Sequence, residues 1–328
     1  MREEVTLMTK RRFVHVIALT LGVFAISLTL AGCSIPGVAQ YPSVQEAQSA
    51  AQQQLAPALS TPALLTDNTL TVGIHNSASV PMLSVAEDGA VSGIDVDCAC
   101  ALAQELGLKV KFVIVNDTKA GLGKTCDIVM DSTSANAGDS KVVSTYAQDA
   151  SAFFSKNSDG TVKVDALKGK KVGLQEGSLS QKALAATDLK MVESSYPNLN
   201  EAFKELNEGK LDYVLCDAYA GSYLAMSFPD IKLVGVLGRA TGVGIAINPS
   251  NTTLLEKVQA AMSALEGDGT LEIIQSRWLG GLSALTADNE IKGVPMTQKD
   301  EAETSDASAI PADDPRDGST AGANAISL

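Results

Sequence analysis

The sequence has no excess of positive charge: 25 lysines and arginines stand against 38 aspartates and glutamates, a formal net charge of -13. Without a basic face it lacks the electrostatic footprint of a nucleic-acid binder, and no nucleic-acid partner is expected. It holds two histidines and no repeated CxxC spacing, so it lacks a zinc-ligand set, and neither a metal nor another cofactor is expected. Gly121-Leu122-Gly123-Lys124-Thr125 resembles the end of a phosphate-binding loop. Thr118 stands where such a loop needs its first glycine, which sets nucleotide aside. No second membrane-spanning stretch or signalling domain follows the first apolar run, so any signalling output would need a partner.

The long apolar run, Phe13 to Leu30, follows Arg2, Lys10, Arg11 and Arg12, the order of a secretion signal. It stops at Leu30-Ala31-Gly32-Cys33, which resembles a bacterial lipobox. That resemblance implies removal of residues 1–32 and a diacylglyceryl group on the Cys33 thiol, leaving the chain lipid-anchored to the extracytoplasmic face of the cell membrane. Two acyl chains suffice for stable anchoring at about 0.8 kcal/mol per buried CH2. The alternative, an uncleaved anchor helix, also places the remainder outside the cytoplasm. Residues 33–67, rich in Gln, Ala, Ser and Pro, read as a flexible spacer. Residues 286–328 carry Asp300, Glu301, Glu303, Asp306, Asp313, Asp314 and Asp317 among Ser, Ala and Pro, and read as a disordered acidic tail. The stretch between them is long enough for two modest lobes.

In an oxidising compartment Cys98, Cys100, Cys126 and Cys216 make one disulfide an expectation. Four cysteines allow three full pairings, and spacing does not choose among them. Cys98 and Cys100 point to different faces of a predicted helix, so they are not expected to bond to each other; the preferred pairing joins one of them to Cys126.

The β-branched run Thr69 to Ile74 predicts a strand, Gly93 to Leu106 a helix closed by Gly107, and Lys109 to Val115 a strand. Asp127 to Met130 predicts a short buried strand, followed by a polar loop up to a strand at Ser151 to Ser155. A second alternating unit follows, with strands at Lys171 to Leu174, Tyr213 to Cys216, Ile231 to Val236 and Gly244 to Ile247. Its helices are predicted at Ser178 to Ala186, Asn198 to Glu208, Ala218 to Phe228, Thr252 to Leu265 and Thr270 to Leu279. Ser178 with Gln181, and Asn198 with Glu201, have capping-box spacing, and Gly209 stands where a helix end needs left-handed geometry. Alternating strands and helices imply α/β layers of mostly parallel sheet, which bind ligands beyond the carboxyl ends of the strands.

Four stretches in order carry a family resemblance: Gly93-Ile94-Asp95-Val96-Asp97 with residues 101–108, then 167–177, then 206–217, and finally 254–280 with Gly267-Asp268-Gly269-Thr270 and Trp278-Leu279-Gly280. Here the chain resembles the family 3 extracellular solute-binding proteins, the polar amino-acid binders of ABC importers. The resemblance implies a type II periplasmic-binding-protein-like fold, two α/β lobes joined by two crossing strands. Lobe 1 would take residues 68–155 and 241–285 and lobe 2 residues 156–240, with the crossings near Phe153 to Lys156 and Arg239 to Gly244. Closure of the lobes traps the solute and alters the surface shown to a permease and its ATPase, with no bond made or broken. A monomer is expected.

The resemblance places Asp217 where the family holds a ligand's α-ammonium, a role compatible with capping the helix that follows. Ser178 falls where the α-carboxylate meets a helix start. His75 and Asn76 match polar contacts after the first strand, and Asp131, Ser132 and Ser134 match the polar run ending the third. The family's aromatic Tyr-x-Pro-Phe becomes Ser79-Val80-Pro81-Met82, so Ser79 and Met82 replace a stacking clamp. Aligned on Lys141-Val142-Val143, Asp139 holds the place of the arginine that takes the carboxylate, and Arg239 is a substitute donor near the return crossing. Asp139 faces either the cleft or water. If Asp131, Asp139 and Asp217 all face the cleft, it favours a cationic solute. An enzyme reading, peptidoglycan cleavage by a fused transglycosylase domain, needs a further domain with a catalytic Glu, for which the tail is too short. A sensor or accessory receptor with a degenerate pocket is the alternative to transport.

Overall fold

The computed structural model describes residues 56–75, 80–158, 160–297 and the backbone of 325–326. The signal segment, Cys33, Asn76, Ser79 and the acidic residues beyond 297 lie outside the described residues. No helix among the described residues is long and apolar enough to cross a membrane.

The chain runs through β1 (Thr69–His75), β2 (Ser84–Val85), β3 (Val91–Ser92), α1 (Ile94–Glu105), β4 (Lys109–Val115), α2 (Thr118–Gly121), β5 (Ile128–Ser132) and β6 (Lys141–Lys156). It continues with β7 (Lys171–Gln175), α3 (Leu179–Ala185), β8 (Val192–Tyr196), α4 (Leu199–Asn207), β9 (Tyr213–Asp217), α5 (Ala218–Ala225), β10 (Ile231–Ile247), α6 (Thr252–Gly267), α7 (Thr270–Leu279) and β11 (Ala325–Ile326). The strands form one sheet in the order β11-β4-β1-β5-β10-β6-β9-β7-β8, with β2 and β3 a separate ribbon.

That single sheet contains both lobes. In lobe 1, β1 pairs in parallel with β4 and β5; in lobe 2, β7 pairs in parallel with β8 and β9. The long strands β6 and β10 pair antiparallel with each other through both lobes. β10 joins lobe 1 where Gly244 meets Ser132 on β5, and β6 joins lobe 2 where Ser151 meets Asp217 on β9. Between these junctions the register of the pair slips, from Leu237 opposite Ser151 to Thr241 opposite Asp149.

Both faces of lobe 1 are covered. Leu70, Val72 and Ile74 of β1 point to the cluster under α1, α6 and α7, while Val113, Val115, Val129 and Ala246 close the other face. Gly73 lets the strands of that second face come together, since a Cβ there would stand 2.9 Å from Val129 Cγ2. α1 begins at Gly93, whose φ of 136° and approach to the Met82 carbonyl admit no side chain. In lobe 2, Phe153 packs edge-on to Tyr213 on one face, and Phe154 packs against Phe203 of α4 on the other. Ser178 and Asn198 cap α3 and α4 as their spacing predicts, and Gly209 is left-handed after α4.

Several expectations are corrected. Much of the predicted polar loop before Ser151 is strand, and Ile231–Ile247 is one strand instead of two, because each gains its hydrogen bonds from the other rather than from local pattern. Phe153 to Lys156 is paired inside lobe 2 and not at a crossing. The spacer ends earlier than residue 67: Leu59 and Leu64 are buried, the Ala58 N–H donates to the Leu106 carbonyl, and Asn251 bonds the Ala63 carbonyl. The tail likewise packs over residues 286–297. Ile291 is 2 % exposed in the core of lobe 2, and the Asp188 and Thr297 N–H groups bond Pro295 and Ala186.

Among the described residues no disulfide forms; Cys98, Cys100, Cys126 and Cys216 are free thiols. Cys98 lies in the cluster beneath α1, whereas Cys126 packs against Gly73 on the other side of the lobe 1 sheet. Cys216 is buried in lobe 2 beside Gly221.

Candidate functional site

The carboxyl ends of β5 and β9 meet at the crossing from opposite lobes, and each ends in an acid or beside one. Asp131 is on β5, Asp217 ends β9, and Asp149 sits on β6 opposite Thr241. Asp131 feels the charges of the other two, and Asp217 feels that of Asp149. The Asp131 carboxyl is pushed up to about 6 by burial and by Asp149 and Asp217. That of Asp217 is also pushed up to about 6, by burial and by Asp149, against the pull of backbone N–H donors. Asp149, the most open of the three, is raised by partial loss of water.

Behind Asp131 stands a buried relay. Asp131 has a left-handed backbone, φ 52°, and its N–H donates to the Tyr146 hydroxyl at 2.8 Å. That hydroxyl donates onward to Asp95 Oδ1 at 2.6 Å. Asp95 is 0 % exposed, and its Oδ2 has no hydrogen-bond partner. Burial and the Asp131 charge raise its carboxyl well above the ordinary range, against the pull of the Tyr146 hydroxyl. The relay fixes a backbone geometry that a non-glycine residue seldom adopts.

Asp217 is held differently. As N-cap of α5 it accepts from the N–H groups of Tyr219 at 3.0 Å and Ala220 at 2.7 Å. Capping and facing the other acids coexist in one side chain.

The other expected residues divide. Ser132 is buried, with its hydroxyl turned onto the Val129 and Met130 carbonyls. Ser134 is exposed in the loop after β5. His75 is half-buried, bonds Thr118 Oγ1 through Nε2 at 3.2 Å, and is lowered by burial, so the ring is uncharged at neutral pH. Met82 packs on the lobe 1 core and gives its carbonyl to the Asp95 N–H. Ser178 accepts from the Gln181 N–H at 3.1 Å. Asp139 does not join the acids: its side chain is 84 % exposed and pairs with Lys119. Arg239 is exposed, and its charge acts on Glu290.

Asp149, Asp95 and Tyr146 were not singled out from sequence. Asp149 and Tyr146 lie in the stretch that reads as loop, and Asp95 lies inside a family motif that carries no site role by itself.

The model of the bacterial extracellular solute-binding proteins, family 3, matches residues 70–281. The ABC transporter arginine-binding protein 1 of Escherichia coli K12 is 25 % identical over 209 residues, covering 60 % of this chain and 86 % of the relative. The L-cystine-binding protein TcyJ of the same organism is 27 % identical over 224 residues, covering 65 % of this chain and 83 % of the relative. Among solved structures, an ancestral cationic amino acid solute binding protein has TM-score 0.54 and 27 % identity, covering 65 % of this chain and 96 % of its own. A polar amino acid ABC uptake transporter substrate binding protein from Streptococcus thermophilus has TM-score 0.57 at 22 % identity, covering 65 % and 86 %, and shares the fold. With the motif stretches, the two-lobe sheet and a match over well over half of its length, the chain belongs to the bacterial extracellular solute-binding proteins of family 3.

Proposed function

We propose that this protein captures a small cationic, amino-acid-like solute between its lobes and hands it to an ABC permease and its ATPase, without altering the solute chemically. The observation that carries the reading is the grouping of Asp131, Asp149 and Asp217 at the crossing, where Asp149 and Asp217 raise Asp131 and Asp149 raises Asp217. A bound cation relieves that repulsion, and in a setting of effective dielectric near 20 one contact at about 4 Å contributes roughly 4 kcal/mol before desolvation. The relatives above include an arginine binder and a cationic amino-acid binder, which agrees with the charge of the cleft. Asp217, Asp131 and Asp149 contact the solute in this reading, with His75, Met82, Ser178, Ser132 and Ser134 as the surrounding residues. Lipidation at Cys33 holds a monomer at the outer membrane face, where tethering raises its effective concentration near the permease.

Thermal shift across basic, neutral and acidic amino acids tests the binding. Basic members at 100 times their Kd raise stability by about 2.7 kcal/mol, and acidic members leave it unchanged. A shift with glutamate alone would sink the cationic reading. Cys33→Ala is expected to move the protein from membrane to soluble fraction and abolish acyl labelling.

A further inference from the structure

We infer that residues 282–297 are a third connection between the lobes, a strap that limits how far they open and thereby raises the affinity of the cleft; this rests on the reading that the lobes close on a solute. The match to the family ends at residue 281, and β6 and β10 already supply the two crossings. Beyond α7 the chain makes a passage of its own. Leu285 is buried in the cluster that holds the α6 and α7 side chains. Gln148, on the stretch of β6 between the two junctions, closes its amide on the Leu285 backbone: Nε2 donates to the carbonyl at 2.9 Å and Oε1 accepts from the N–H at 2.6 Å. A short way on, Ile291 is buried in the other cluster, with Phe153 and Tyr213 of lobe 2.

The lobe 2 end has a shaped seat. β10 meets β5 only from Gly244 onward, so its lobe 2 stretch pairs with β6 on one edge and leaves the other to be covered. The Ile291 N–H donates to the Val236 carbonyl on that edge at 3.0 Å, and Thr161 Oγ1 donates to the Asp288 carbonyl at 2.9 Å. Gly235 makes the hole, since a Cβ there would stand 2.7 Å from Ile291 Cγ1. Between the two anchors Thr286 and Asn289 form a capping box around the 3-10 turn Ala287–Asn289. Such a turn rises about 2.0 Å per residue against about 3.3 Å when extended, so unwinding it yields roughly 4 Å of slack. Rotation of lobe 2 beyond that slack has to pull Ile291 from its seat or Leu285 from Gln148. Lobes with less freedom when empty lose less of it on closing over a solute, which favours binding.

A short protease recognition sequence inserted between Asp288 and Asn289 of the purified full chain tests this, because cleavage severs the link and leaves both anchors in place. On cleavage the radius of gyration of the empty protein, read by small-angle scattering, is expected to rise. Arginine, titrated calorimetrically, is expected to bind at least about tenfold more weakly, a difference of about 1.4 kcal/mol, with the uncut insertion in between. Should the insertion disturb folding, Gln148→Ala releases the lobe 1 anchor alone and is expected to move both readouts the same way, the affinity by about threefold. An unchanged radius of gyration, or arginine binding that stays the same or tightens on cleavage, overturns the inference and leaves the cationic reading standing. Should neither form bind arginine or lysine, the cationic reading falls, and scattering alone decides the strap: a rise on cleavage supports it as a limit on opening, and no rise overturns it.

Discussion

Lobe 1 and lobe 2 each bring a carboxylate to the crossing, Asp131 and Asp217, and they secure it by opposite means. The Asp217 carboxyl accepts two backbone N–H groups at the start of α5, so it serves the helix and the cleft together. The Asp131 carboxyl accepts no hydrogen bond from the described residues; what is secured is its backbone, by the Tyr146 hydroxyl and Asp95 behind it. Both carboxyls nonetheless arrive at about 6, since N–H donors pull Asp217 down while burial and Asp149 push it up. A substitution at Asp217 therefore mixes capping with charge, whereas one at Asp131 reads charge almost alone.

Asp217→Ala is the harshest break in that comparison. It is expected to weaken cation binding at least about 100-fold, or roughly 2.7 kcal/mol, and to lower stability by about 1 kcal/mol through the lost cap. Asp217→Asn preserves the cap, so calorimetry should show the affinity loss while urea melts stay near wild type. Equal destabilisation by both variants would show that the carboxylate charge, and not the cap, holds α5.

Tyr146→Phe tests the other lobe. Removing the hydroxyl leaves the Asp131 N–H unmet and strips Asp95 of its one donor, which costs about 1–3 kcal/mol in urea unfolding. Affinity falls about tenfold because Asp131 loses its fixed geometry, a change to be read by titration. An unchanged affinity would mean that the left-handed backbone at Asp131 holds without the relay.

Acid should treat the two carboxyls alike. A cation favours the ionised forms, so affinity is expected to drop by about tenfold for each acid protonated as pH falls from 7.5 to 5. The facing groups do not confuse the readout. Tyr146, Tyr219 and Cys216 are raised by burial and keep their protons, while Asp95 and Asp149 are carboxyls raised by burial alongside the pair. Stability of the empty protein runs the other way. The folded values lie above the ordinary 3.8, so the folded state binds more protons between pH 4 and 6, and these groups make it more stable as pH falls through 6. Melting temperatures of Asp131→Asn should lose part of that rise.

The smallest effect is expected at Asp139→Ala. Its partner Lys119 is as open to water as it is, so binding should change by less than about twofold. A larger loss would return Asp139 to the cleft and upset the pairing of Asp131 with Asp149.

The sequence made much of this legible where the signal is local. Helix starts at Ser178 and Asn198 follow from side chains that bond N–H groups three residues on, and the β-branched runs of β1 and β4 announce themselves. Legibility failed along β6 and β10. Their polar middles have no clean alternation, and each is held straight by the other strand, so the stretch holding Tyr146 and Asp149 reads as loop. Residues 286–297 read as tail for a similar reason: Ile291 and Val294 stand without periodicity among polar residues, and Ile291 is buried only because Gly235, lacking a side chain, leaves room for it.

The alternation of most strands and helices, the family, and the acids at the ends of β5 and β9 are legible in the sequence alone, because periodicity, capping and motif are properties of neighbours along the chain; the strand Val192–Tyr196 and the continuity of β10 are not. Only the tertiary structure decided which acids meet. Asp149 is brought beside Asp131 and Asp217 by the register that sets Ser151 opposite Asp217 and Thr241 opposite Asp149, while Asp139 is drawn outward to Lys119. Charge acts through space, and that spacing is written in strand pairing across two lobes.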